Sequence, residues 1–92
     1  MIAQDAKPKR SPRIAARVVD GKALIVVIDH KQLHTLNEVG TRVWELCDGR
    51  SVAAIAEALQ SEFAVDEATA LNDVQRFVHE LQAIGALDLE AA

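Results

Sequence analysis

The stretch Leu33 to Gly49, LHTLNEVGTRVWELCDG, constrains the chain more than any other. It begins as a short extended run, Leu33 to Leu36. Asn37 then stands where a helix N-cap belongs, since its side-chain oxygen can accept from a first-turn N–H. Val39, Val43, Leu46 and Cys47 follow at the i, i+4, i+7, i+8 spacing of one buried helical face. Asp48-Gly49 supplies the exit, with glycine free to take the left-handed conformation. A strand that turns directly into a capped helix is a joint, and it divides the chain into strands before and helices after.

Before the joint, residues 14–28 read as a hairpin. Ile14 to Val19 and Ala23 to Ile28 are the strands, and Asp20-Gly21 fits a two-residue turn with positive φ at both centres. The continuous apolar, β-branched run from Leu24 to Ile28 predicts a central strand. Asp29-His30 makes the next turn, and a third strand runs from about Lys31 to Leu36. On it Leu33 and Thr35 alternate with Gln32 and His34, which predicts an apolar face turned inward and a polar face turned out. If spatial order follows sequence order, this strand is an edge with one row of unpaired backbone groups. Residues 1–12, with Pro8, Pro12, Lys7, Lys9 and Arg10, read as a flexible basic arm.

After the joint come three helices: Glu38 to Cys47, a second from the cap Ser51 to about Glu62, and a third from the cap Asp66 to Ile84. The third carries Ala70, Leu71, Val74, Phe77, Val78, Leu81 and Ile84. That stripe is wider than contact with a small core requires, leaving the edge Ala70, Phe77, Ile84 for a groove. Leu87-Asp88-Leu89 alternates like a short strand, and residues 90–92 are a tail. The order predicts an α+β domain over residues 13–89, winged-helix-like, with a three-stranded antiparallel N-terminal sheet followed by three helices.

Ninety-two residues suit one domain, and no apolar run reaches the roughly 18–20 residues of a membrane span. A single cysteine and no visible secretory signal fit a reducing cytoplasm. Residues 1–22 hold six Lys/Arg against two acids, and residues 23–92 hold four against twelve. A DNA-reading helix brings cations and amides to the duplex. The third helix instead offers Glu67, Asp73 and Glu80 against Arg76, and the second Glu57 and Glu62. Nucleic acid is therefore not the expected partner, although a winged-helix DNA-binding or regulatory module is the alternative reading.

Chemistry is sparse. His30, His34, His79 and Cys47 stand in no metal-ligand spacing, no nucleophile motif is present, and the four glycines are isolated. Cys47 reads as a small buried hydrophobe and Trp44 as a core or near-core residue. The chain is expected to be neither an enzyme nor a cofactor carrier. The open edge and short hairpin predict a monomer or a weak dimer.

Leu36-Asn37 before a helix, Asp48-Gly49 at its end, then Ser51-Val52 with Ile55-Ala56 and Leu59, and finally Leu81 with Gly85 and Leu87, together resemble the PqqD-like family. That family includes the peptide chaperone of pyrroloquinoline quinone biosynthesis and the recognition elements for ribosomally made, modified peptides. The resemblance implies a non-catalytic domain that binds the leader region of a precursor peptide and presents it to a modifying enzyme, usually a radical S-adenosylmethionine enzyme. The peptide would add as a strand to the edge formed by Gln32, Leu33, His34, Thr35 and Leu36. The groove beside it would be lined by Asp73, Val74, Phe77, Val78 and Leu81. Main-chain bonds would give affinity and side-chain pockets selectivity. An acidic rim would suit a basic or amphipathic leader.

Overall fold

The structure, a computed structural model, describes residues 2–29 and 31–90. Its elements in order are β1 (Lys7–Arg10), β2 (Ile14–Val19), β3 (Lys22–Val27), β4 (Gln32–Thr35), α1 (Glu38–Glu45), α2 (Val52–Phe63), α3 (Glu67–Ala83) and β5 (Leu87–Glu90). The α+β order is as expected, with the anticipated strand at Leu87–Glu90 and one further strand, β1, among the described residues. A three-stranded antiparallel sheet runs β2-β3-β4, and β1 pairs with β5 in a separate ribbon.

The β2–β3 turn has φ of +54° at Asp20 and +77° at Gly21, the two positive values a tight hairpin of this kind requires. Its register sets Val19 opposite Lys22 and Ile14 opposite Val27. The β3–β4 register sets Ile25 opposite His34 and Val26 opposite Leu33. Ala23, Ile25 and Val27 are buried, so this parity faces the helices. His34 consequently lies on the helix side of β4, while Leu33 lies on the outer face and is 63% exposed. This reverses the expected orientation of the strand. The turn residue His30 lies outside the described residues.

Each helix begins on its expected cap. The side chains of Asn37, Ser51 and Asp66 accept from the N–H of Gly40, Ala54 and Thr69 at 2.7, 3.1 and 2.7 Å. α1 stops at Glu45, two residues short of the expected end. The Cys47 N–H there donates to Trp44 O in a tightened last turn, and Gly49 follows at φ +105°.

The N-terminal residues depart most from expectation. Residues 7–10, read as part of a flexible arm, form β1, and Pro8 is fully buried. Lys7 pairs with Glu90 and Arg10 with Leu87. Upstream, Ala6 O and Gln4 O accept from the N–H groups of Val52 and Ala53. Together with Ser51 Oγ they satisfy three first-turn donors of α2 that would otherwise lack partners. The Arg10 guanidinium closes the other end of the joint. It donates to Trp44 O at 3.3 Å and Glu45 O at 2.6 Å, and lies 5.4 Å from the Trp44 ring centroid.

One core unites these layers. It draws Ala23 and Ile25 from β3, Val43 from α1, Val52, Ile55 and Leu59 from α2, Val74, Val78 and Leu81 from α3, and Leu87 from β5. No helix among the described residues is long and apolar enough to cross a membrane.

Candidate functional site

β4 is an edge of its sheet, with β3 on one side only. The Leu36 N–H donates to Ala23 O, which fixes the parity of the ladder. Leu36, His34 and Gln32 turn their backbone groups toward β3, so those of Leu33 and Thr35 point away from it. Two N–H donors and two C=O acceptors thus stand in a row with no neighbouring strand among the described residues. Gln32 and Thr35 are exposed, and Leu36 is half-buried against the core. His34 is half-buried, and its Nε2 is shielded without a hydrogen-bond partner among the described residues.

The strand is held to the helices by Thr41, a buried residue of α1. Its hydroxyl accepts from the Ala23 N–H at 2.8 Å and donates to Leu36 O at 3.4 Å. A single side chain thereby ties β3, the end of β4 and α1 together. This role was missed in the sequence. Its one local signal is a polar β-branched residue placed four positions after the Asn37 cap.

α1 in turn connects the edge to α3. Gly40 packs on Phe77, which is only 7% exposed. On the next positions outward, the Arg76 guanidinium lies 5.0 Å from the Phe77 ring centroid and 3.5 Å from the Asp73 carboxylate. Asp73 is half-buried. Of the other residues expected to line a groove, Val74, Val78 and Leu81 are buried in the chain's own core. So is Ala70, and Ile84 is half-buried. The structure therefore gathers Asp73, Arg76 and Phe77 on the flank of α3 that meets α1, and leaves the deeper apolar positions to the interior.

The remaining reactive groups lie apart. Burial pushes the Cys47 thiol up to about 12, and its Sγ donates to Val43 O at 3.1 Å. A thiol so protected is a poor nucleophile. His79 is exposed on α3. Among the described residues no three His, Cys, Asp or Glu side chains converge as a metal-binding group. Two shallow recesses flank α3. One is bounded by Gln4, Glu57, Gln60 and Glu67, the other by Ile2, Gln75, Arg76 and His79, and neither includes a β4 residue.

Comparison with known proteins places the chain in a family. The family described as coenzyme PQQ synthesis protein D (PqqD) matches residues 24–87. The fold superposes on TbiB1, solved in complex with the TbiA(beta) leader peptide, with a TM-score of 0.82 and 25% identity, covering 91% of this chain and 99% of that one. It also superposes on lasso peptide synthetase B1, solved complexed with the leader peptide, with a TM-score of 0.77 and 24% identity. That match covers 89% of this chain and 98% of the other, and it speaks to the fold. No sequence among the curated proteins matches the chain.

Proposed function

That the chain belongs to the PqqD family is the premise from which we propose its function: it recognises the leader region of a ribosomally made precursor peptide and holds it for a modifying enzyme. The observation that carries this reading is the row of outward backbone groups at Leu33 and Thr35, and we take the Asp73–Arg76–Phe77 flank of α3, linked to that edge through Gly40 and Thr41 of α1, as the wall beside it. An extended peptide can add there as a further strand, since main-chain bonding asks little of its sequence. TbiB1, which shares the fold, was solved with a leader peptide bound.

The side chains divide the work. Leu33 and Thr35 present the outer face and His34 the inner face, so alternate peptide residues meet different surroundings. Phe77 and Leu36 give the inward peptide residues apolar contact. Asp73 and Arg76 form the polar rim. Val74, Val78 and Leu81 act through the core that positions Phe77. The domain carries out no reaction of its own. The enzyme it serves is, by the family resemblance, of the radical S-adenosylmethionine class.

Amide NMR during titration with the leader peptide of the neighbouring precursor gene tests the proposal. Signals of residues 31–36 and of Asp73, Arg76 and Phe77 should shift, and the Leu33 and Thr35 amides should become protected from exchange. Shifts confined to residues 2–12 would overturn the assignment. Duplex DNA at low salt serves as the contrasting ligand and should leave the spectrum unchanged.

A further inference from the structure

The three-stranded sheet has a second open edge, β2, most of which is exposed. The Ile28 N–H donates to Arg13 O, so Arg13, Ala15, Arg17 and Val19 turn their backbone groups toward β3. Those of Ile14, Ala16 and Val18 point away from it. Five of the six β2 residues are exposed, including Ala15, Ala16 and Val19, and Val18 is 43% exposed. The side chains of Ile14, Ala16 and Val18 share the helix-side parity of buried Ile25 and Ala23; Ile14 packs half-buried against the core, while Ala16 and Val18 are exposed. An uncovered apolar edge of this kind is a template for pairing with another chain.

We propose that β2 pairs antiparallel with β2 of a second copy of this chain, about a two-fold axis at Ala16. The strand's own sequence selects this occupant and this register. With the axis at Ala16, Ile14 lies opposite the partner's Val18 and Ala16 opposite the partner's Ala16. All three outward-pointing residues then meet outward-pointing residues, and their apolar side chains share one face. Arg17 lies opposite the partner's Ala15. The two neighbouring registers that keep the backbone bonds, slid by two residues, set Arg17 against the partner's Arg17 or the partner's Arg13. Like charges directly opposite are destabilising. The edge is therefore self-complementary in one alignment.

The product is a continuous six-stranded sheet with β4 at both ends. On the reading that β4 takes the leader peptide, the dimer carries two peptides about 34 Å apart, from the usual strand spacing of about 4.8 Å. The pairing is short, so it belongs to the weak, reversible class.

Two variants test it on the intact chain. Ala16→Cys should form a covalent dimer under a glutathione redox buffer, because directly bonded antiparallel partners stand about 5.5 Å apart at Cα. Ala15→Cys should link at least about tenfold more slowly, since the register sets it against Arg17. Native Cys47 is buried and stays out of the exchange. Ala16→Pro removes an N–H that points away from β3 and has no partner among the described residues, so its circular dichroism and melting should match the parent. Sedimentation equilibrium should show the parent rising from 10.0 kDa toward twice that mass with concentration, and the proline variant staying at the monomer mass. A parent that remains monomeric up to about 1 mM, well above the range of such weak contacts, overturns the proposal. So does equal linking at positions 15 and 16, or a proline variant that dimerises like the parent.

Discussion

A Cβ on Gly40 would stand 2.7 Å from Phe77 Cε1 and 3.1 Å from Phe77 Cδ1. The missing methyl is what lets α1 lie directly on the Phe77 ring. Gly40→Ala gains about 1 kcal/mol in helix propensity but must displace a packed ring, at a cost of about 1–3 kcal/mol. The expected net result is a lower urea midpoint with an unchanged slope, and weaker leader binding. In a Phe77→Ala background the same substitution should be neutral or stabilising. Comparing the four proteins in a double-mutant cycle isolates the contact.

Thr35→Pro removes an outward N–H while leaving the bonds between β3 and β4 in place. Leader affinity should fall about tenfold or more, the loss of about 1.4 kcal/mol expected for one main-chain bond. The melting temperature should change little. Calorimetric titration and a thermal melt on the same sample separate the two effects.

Arg10→Ala leaves the Trp44 and Glu45 carbonyls without their donor and uncovers the indole. A loss of about 1–2 kcal/mol is expected in chemical denaturation. The emission of Trp44, the single tryptophan, should shift to the red in the folded variant. Arg10→Lys should recover only part of the loss, because one ammonium cannot reproduce the planar fork.

Acid should weaken the fold in a defined window. Hydrogen bonds from Arg42 hold Glu62 below its ordinary 4.5, and hydrogen bonding to Thr69 holds Asp66 below 3.8, as Arg50 does for Asp48. A depressed folded-state pKa means stability that is present above the unfolded value and lost as pH falls through the folded one. Melting temperature should therefore be flat near neutrality and decline below about pH 4.5. Asp66→Asn, which keeps the capping oxygen, should make the decline shallower.

Cys47 should resist alkylation in the native protein at pH 8 and react at once in denaturant. Its thiol stays protonated far above the ordinary 9.0 because burial penalises the thiolate. Raising the pH from 9 toward 12 should also destabilise the fold, since only the unfolded chain gains from ionisation there. Mass-resolved iodoacetamide labelling reads the first effect, and denaturation at stepped alkaline pH the second.

What local chemistry dictates could be read from the residues alone. Asp20-Gly21 forced the hairpin, and Asn37, Ser51 and Asp66 started their helices, because each acts on neighbours within four positions. What depends on distant partners could not be read this way. Lys7–Arg10 has the composition of a solvated arm, and only its pairing with Leu87–Glu90 makes it a strand. Alternation along β4 marked two faces and pointed to that of Leu33 as the inner one, which the structure reverses. The pairing of His34 with Ile25 decides that. Likewise the apolar stripe of α3 did not separate groove from core: Ala70, expected on the groove edge, is buried. Val74, Val78 and Leu81 are spent on the interior, while Phe77 reaches the flank because Gly40 leaves room for it.

The ribbon formed by the first and last strands has a practical corollary. The part of the chain that carries the family pattern, residues 24–87, omits β1, all of β5 but Leu87, and β2, one edge strand of the other sheet. An excised fragment with those limits would leave Leu87 unzipped and two amides of α2 without acceptors. The unit that inheritance makes visible is thus smaller than the unit that must fold. Any shuffling of this module between longer polypeptides has to carry its flanks along.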